Sequence, residues 1–282
     1  MQFLFWGLKM PEIDDFFVIN DVSPFDLNKV IEKYKEFKNS PIPDNYLKKH
    51  FRALLQDTNT KMMFRKKNNN TDTPLQEFWT LRFIDMAENN YKNLPINKYS
   101  LLEKSDLKKI VNICLGNDII TKTKKYLMSK GIYLYFIDSL PNTMIDGAVY
   151  ITSYSSIAVG LTLRYDRLDY VWFTLLHELS HIILHYQYLN ENIIISMENS
   201  QDLKEAEANR LVKDTIISPK DYRVLLPKRT LNSDDLIKYA NSNNISPALI
   251  AGIIRKDLDN YQIFNDIINS FRINRSDLYD EI

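Results

Sequence analysis

The sequence has few of the residues that make disulfides, tight turns and membrane spans. Its single cysteine, Cys114, excludes an internal disulfide and suits a reducing compartment. Only six glycines occur in 282 residues, which argues against an all-β fold rich in tight turns. No apolar run approaches the roughly 20 residues of a membrane helix, and the N-terminus lacks the basic segment of a secretory signal. We therefore expect a soluble cytoplasmic protein.

An excess of charge of either sign is also missing. Lys and Arg number 36, Asp and Glu also number 36, and the formal net charge is zero. Nothing in this balance indicates direct binding to nucleic acid or to an anionic membrane. The chain is 45% hydrophobic and long enough to bury a sizeable core. These features describe a globular protein.

Histidine is scarce as well, yet three of the four histidines fall within nine residues. Residues 177–181 read HELSH. On a helix His177 and His181 lie on one face, about 6 Å apart along the axis, so both imidazoles can reach one tetrahedral Zn²⁺. Glu178 can then act as general base towards a metal-activated water. The chemistry that this pattern indicates is hydrolysis of a peptide bond.

The surrounding sequence predicts that this motif lies on a long helix. No Gly or Pro interrupts residues 168–187. Helical spacing puts the histidines on one face and these apolar residues on the opposite face: Trp172, Leu175, Leu176, Leu179, Ile183 and Tyr186. The alternative is an amphipathic helix whose histidines are merely polar, although exposed faces normally carry Lys and Glu. His185 lies about 12 Å along the axis from His177, too far to share its ion, so we expect it outside the ligand set.

A catalytic zinc site requires a third protein ligand and an open position. Residues 202–214 read DLKEAEANRLVKD and predict a helix that offers Glu205 and Glu207. These two side chains point about 200° apart, so only one can face the metal. The residues alone leave both candidates open, and they also leave open an ordinary solvated helix.

The two motifs together resemble the ImmA/IrrE family of zinc metallopeptidases. The resemblance is carried by WFTLLHELSHIILH (Trp172 to His185) and EAEANRLVKDTIISP (Glu205 to Pro219). In that family the glutamate directly before Ala-Asn is the third zinc ligand, which implies Glu207 here. Leu211 and Val212 depart from the family's usual Phe-Ala. Softer similarity spans roughly residues 64–257, to a subgroup fused behind a HigA-like antitoxin helix-turn-helix.

The order of the predicted elements indicates an α+β fold. Strands are expected at 132–137, 147–152 and 157–163, between helical segments on both sides. With the resemblance, this predicts a zincin-like peptidase domain over 96–282, whose small three-stranded sheet packs on the HExxH helix. Residues 1–95 are expected to form a helical N-terminal region for partner recognition or a degenerate regulator segment, because no helix-turn-helix is evident there.

The resulting functional expectation is a zinc-dependent intracellular endopeptidase. His177, His181 and Glu207 would hold zinc and Glu178 would activate water. The resemblance implies a dedicated protein substrate, such as a transcriptional repressor or an antitoxin. The alternative is a non-catalytic regulatory or antitoxin component of a toxin–antitoxin system that uses the fold as an interaction module. Candidates for stabilising the oxyanion of the reaction are Arg164, Tyr165 and Tyr170.

Overall fold

The computed structural model of the chain describes Glu32 and residues 61–62, 73–89, 97–189, 192–197, 203–225 and 232–274. Most of the helical N-terminal region predicted over residues 1–95 therefore lies outside the described residues. The described elements, in chain order, are β1 (Lys61–Met62), α1 (Thr73–Asn89), α2 (Lys104–Ile113), α3 (Ile119–Ser129), β2 (Ile132–Ile137), β3 (Ile145–Ile151), β4 (Ile157–Thr162), α4 (Leu168–Leu189), β5 (Asn192–Met197), α5 (Leu203–Ile216), α6 (Pro219–Leu225), α7 (Ser233–Ser242), α8 (Pro247–Asp257) and α9 (Asn265–Ser270).

The strands form one mixed sheet in the order β1, β5, β3, β4, β2. Strand β2 runs parallel to β4, which pairs antiparallel with β3. Strand β3 also pairs antiparallel with β5, and β5 pairs in parallel with the short β1. The three strands predicted from the sequence thus lie side by side, and β5 and β1 extend the sheet beyond β3. The described part of the chain is α+β, as the sequence predicts.

Both faces of this sheet are covered, which explains why its strands are almost continuously apolar. In β2, Ile132, Leu134 and Phe136 join the larger core, whereas Tyr133 and Tyr135 join a smaller core on the other face. Alternate residues of a strand point to opposite faces, so two cores require apolar residues at every position.

Helix α1 covers the smaller core. Its Trp79 and Phe83 are fully buried against the tyrosines of β2 and β3. This helix precedes residue 95, where the sequence places the domain boundary. Residues 90–96 lie outside the described residues, so that boundary stays a prediction.

Helix α4 lies in the larger core and provides its central support. Trp172, Leu176 and Leu179 are fully buried, and the Trp172 indole donates a hydrogen bond to the Ile110 carbonyl of α2 at 3.2 Å. Burial of each such side chain contributes about 1.5–3 kcal/mol. The helix is therefore held from several sides, which fixes the position of any side chain that projects from it.

A buried carboxylate anchors α2 to its neighbours. Asp106 is 1% exposed and accepts hydrogen bonds from the Glu103 backbone, from the Tyr126 hydroxyl and from the ammonium groups of Lys109 and Lys130. Burial by itself raises the pKa of Asp106, but these hydrogen bonds outweigh it and hold the pKa well below its usual value. The Asp106 carboxylate is therefore ionised in the folded protein near neutral pH.

Asp106→Asn is expected to destabilise the protein by about 1.5–3 kcal/mol at pH 7, because hydrogen bonds to a charged acceptor are lost. The folded pKa lies below the unfolded value of about 3.9, so the stabilisation is complete above that value and is lost as pH falls. Urea unfolding at pH 7 and near pH 3 should show a smaller acid loss for the variant than for the wild type. Asp118→Asn is the control, because Asp118 is exposed and its left-handed backbone tolerates Asn. Equal acid sensitivity of wild type and Asp106→Asn would contradict this account.

Candidate metal centre

The predicted histidine helix is present as α4, but it is buried more completely than the sequence indicates. His177, His181 and His185 are 8%, 1% and 3% exposed, whereas Tyr186, expected on the core face, is 37% exposed. The β3 side of the sheet and helix α5 both pack on α4, so its histidine face is covered too. At His185 the backbone leaves helical geometry, with φ −126° and ψ 19°, although neither Gly nor Pro is nearby.

Three side chains converge at the middle of α4. The Nε2 atoms of His177 and His181 lie 3.0 Å apart. Glu205 places one carboxylate oxygen 3.0 Å from His177 Nε2 and the other 3.3 Å from His181 Nε2. Tetrahedral zinc with ligands at about 2.0–2.1 Å would separate its donor atoms by roughly 3.3 Å. The three side chains are therefore close enough together to bind one metal ion.

The third member of this group is Glu205, which corrects the expectation that Glu207 lies beside the two histidines. Helix α5 buries Ala208, Val212 and Ile216, and this stripe sets the phase of the helix. Glu205 lies three residues before Ala208 and therefore falls on the buried stripe. Glu207 lies two residues after Glu205 and therefore about 200° around the helix from it. Its side chain is 64% exposed and contacts His185 rather than the donor set.

The electrostatics of the group suit a cation. Burial raises the pKa of Glu205, but hydrogen bonds from His177 and His181 outweigh it and hold the pKa far below its usual value. Burial lowers the pKa of His181. Burial also tends to lower the pKa of His177, yet Glu205 and Glu178 raise it overall. The negative charges that favour protonation of His177 also favour a metal cation at the same position.

Asn209 supports the site, and sequence reasoning did not assign it a role. It lies four residues after Glu205 on the same side of α5, and its Oδ1 atom is 3.2 Å from His177 Nδ1. The Nδ1–H of a neutral His177 can donate to this oxygen, which leaves Nε2 free to bind metal. The signal that could have revealed it is its four-residue spacing from Glu205.

Glu178 lies in the interior next to the donor set. It is 0% exposed, and its carboxylate packs against Gly147 of β3. A Cβ atom at Gly147 would lie 2.5 Å from Glu178 Oε1 and 2.8 Å from Cδ. The strand register also shifts between Ile145 and Gly147. Glycine is thus required at this point of β3, because any side chain would occupy the space of the Glu178 carboxylate.

Gly147→Ala is expected to destabilise the metal-free protein by about 1–3 kcal/mol, the usual cost of overpacking a core. At an unobstructed strand position the same change would stabilise, because Ala loses less backbone entropy than Gly. Urea unfolding provides the measurement. Gly116→Ala is the control, since its Cβ would meet only Lys122 Nζ at 3.4 Å and the Ile113 carbonyl at 3.7 Å. A Gly147→Ala variant as stable as the wild type would disprove the close approach.

The residues considered for oxyanion stabilisation form a cluster of their own. The Tyr170 hydroxyl donates to Asp146 Oδ1 at 2.7 Å, and Arg164 donates to the same oxygen at 3.0 Å. The ring of Tyr165 packs edge-on against Tyr170. Burial and the Asp146 charge raise the pKa of Tyr170 strongly, so it stays a hydrogen-bond donor. Arg164 and Tyr170 thus both form hydrogen bonds to Asp146. We therefore assign neither of them to oxyanion stabilisation.

Comparison with known proteins does not assign the chain to a family. No protein-family model matches the chain, and no curated protein matches it significantly in sequence. Among the described residues, no helix combines the length and apolar character needed to span a membrane.

Proposed function

We propose that this chain is a zinc-dependent endopeptidase with a dedicated protein substrate. The observation that carries the proposal is the convergence of His177, His181 and Glu205 beside the buried carboxylate of Glu178. Two neutral nitrogen ligands, one carboxylate and an open position form a donor set typical of hydrolytic zinc centres.

When bound, zinc would polarise the peptide carbonyl as a Lewis acid and make water a competent nucleophile near neutral pH. His177, His181 and Glu205 would hold it, and Asn209 would keep the His177 ring in the orientation required. Glu178 would accept the proton of the attacking water and return it to the leaving amine. Its close packing against Gly147 restricts the carboxylate, which favours a fixed geometry for that proton transfer.

The ImmA/IrrE resemblance supports the identity of the substrate as a repressor or an antitoxin-like protein. A dedicated substrate also explains how such a chain could be tolerated inside cells. We therefore expect little or no digestion of denatured casein. The rival function, a non-catalytic interaction module, gives no reason to retain Glu178 in a fully buried position next to the donor set.

Labelling of new protein N-termini tests the proposal. A lysate of the source cells would be incubated with the zinc-loaded protein, with protein treated with a chelator, and with protein reloaded with zinc. We expect a small set of new N-termini that appears, disappears and reappears with the metal. The absence of any zinc-dependent N-terminus would contradict the endopeptidase proposal, whereas rapid casein digestion would contradict only the dedicated substrate.

A further inference from the structure

Two residues with metal-binding chemistry lie outside the donor set but connect to it. His185 Nδ1 is 3.0 Å from His181 Nδ1, and His185 Nε2 is 3.0 Å from Glu207 Oε2. These contacts form a chain that begins at Glu207, which is largely exposed, passes through His185 and ends at the buried His181. We call this chain the line of contacts.

The tautomers of neutral imidazole determine which atom donates the hydrogen bond in each of these contacts. A metal at His181 Nε2 requires an unprotonated nitrogen there, so a neutral His181 carries its proton on Nδ1. That N–H can donate to His185 only if His185 Nδ1 is unprotonated. The proton of a neutral His185 then lies on Nε2, where it donates to the Glu207 carboxylate. One carboxylate at the end of the line thus determines both tautomers.

We propose that Glu207 and His185 form a hydrogen-bond relay that orients His181 and strengthens metal binding. Metal-bound histidines usually donate their second N–H to a carboxylate, a carbonyl or a water, which fixes the ring and makes it a better ligand. Here His185 is interposed between ligand and carboxylate. The relay rests on the proposed metal site but not on the proposed peptidase activity.

The relay also accounts for the arrangement of α5 against α4. Glu205 approaches the metal position directly, Asn209 supports His177, and Glu207 supports His181 through His185. One helix therefore supplies a ligand and a supporting group for each of the two histidines. The departure of His185 from helical geometry lies at the interposed residue itself.

Zinc affinity, measured by competition with a chromophoric chelator, tests the relay. We expect Glu207→Ala and His185→Ala each to weaken zinc binding by about 10–100-fold, the usual effect of losing a group that supports a ligand. The double variant should be no weaker than the weaker single variant, because both substitutions interrupt one line. Glu207→Gln should lose less than Glu207→Ala, since its amide oxygen can still accept from His185.

The control is Asp214→Asn, which removes a negative charge from the exposed side of the same helix. It should leave zinc affinity close to that of the wild type. An equal loss in Asp214→Asn and Glu207→Ala would reduce the effect to long-range charge and overturn the relay. A further large loss from Glu207→Ala in the His185→Ala background would also overturn it, because Glu207 would then act on the metal directly.

Nitrogen-15 spectra of the histidine rings in the zinc-loaded protein give an independent reading. We expect the proton of His181 on Nδ1 and that of His185 on Nε2. A His185 proton on Nδ1 would overturn the relay even if zinc binds tightly. Wild-type protein that binds no zinc would overturn the metal site as well, whereas tight zinc binding without peptidase activity would leave the relay standing.

Discussion

Glu178→Gln is expected to retain the fold and the bound zinc but to hydrolyse its substrate about 10²–10⁴-fold more slowly, the usual loss on removing a general base. The amide matches the carboxylate closely in shape, so it can occupy the same narrow space against Gly147. It cannot take a proton from water. Because Glu178 is not one of the three converging donors, zinc content should stay near one ion per chain.

The measurement is the cleavage rate of the substrate identified by N-terminal labelling, with zinc content determined on the same preparations. Glu103→Gln is the matched control, because it makes the same chemical change at an exposed glutamate that immediately precedes α2 and is not one of the converging donors. Undiminished cleavage by a zinc-loaded Glu178→Gln variant would remove Glu178 from the mechanism. A variant that loses zinc would instead indicate that Glu178 supports the metal.

The local sequence was sufficient to predict the helix that carries the site. The unbroken apolar spacing of residues 168–187 predicts α4, and the HELSH motif places His177, Glu178 and His181 together on it. The apolar runs of β2, β3 and β4 similarly predict strands. These features depend on neighbours a few residues away, so a sequence pattern contains the information required.

The choice between Glu205 and Glu207 required the phase of a second helix. The alternating Glu-Ala-Glu-Ala run gives no amphipathic signal of its own. Only the later stripe of Ala208, Val212 and Ile216 shows which side of α5 is buried. When the spacing of this stripe is extended towards the N-terminus of α5, it predicts that Glu205 is buried. The family resemblance alone instead implies Glu207 as the ligand.

Other features depend on contacts between distant segments and have no local signature. The pairing of β5 with β3 brings together residues that are 45 to 52 positions apart, and the order of strands is not encoded in any one of them. The distortion at His185 occurs without Gly or Pro, and its ring contacts Glu207 on another helix. Helix spacing predicts that His185 lies outside the ligand set, but it does not name the partner of its ring.

Glu205→Ala is expected to weaken zinc binding by about 10²–10³-fold, more than any variant of the relay. Zinc sites with four protein ligands bind with roughly 10–16 kcal/mol, so one ligand contributes on average about 2.5–4 kcal/mol. Glu205 also supplies the negative charge within the donor set, and its loss leaves the buried His177 and His181 without that partner.

The same chelator competition that measures the relay ranks the two glutamates directly. We expect wild type to bind most tightly, Glu207→Ala to be intermediate and Glu205→Ala to be weakest. Glu207→Ala is the matched comparison, because it makes the same truncation two residues away on the same helix. The reverse order would transfer the ligand role to Glu207 and would require α5 to turn by about 200°, which would expose the stripe of Ala208, Val212 and Ile216. Because burial of that stripe holds α5 against the core, we expect the order with Glu205→Ala weakest.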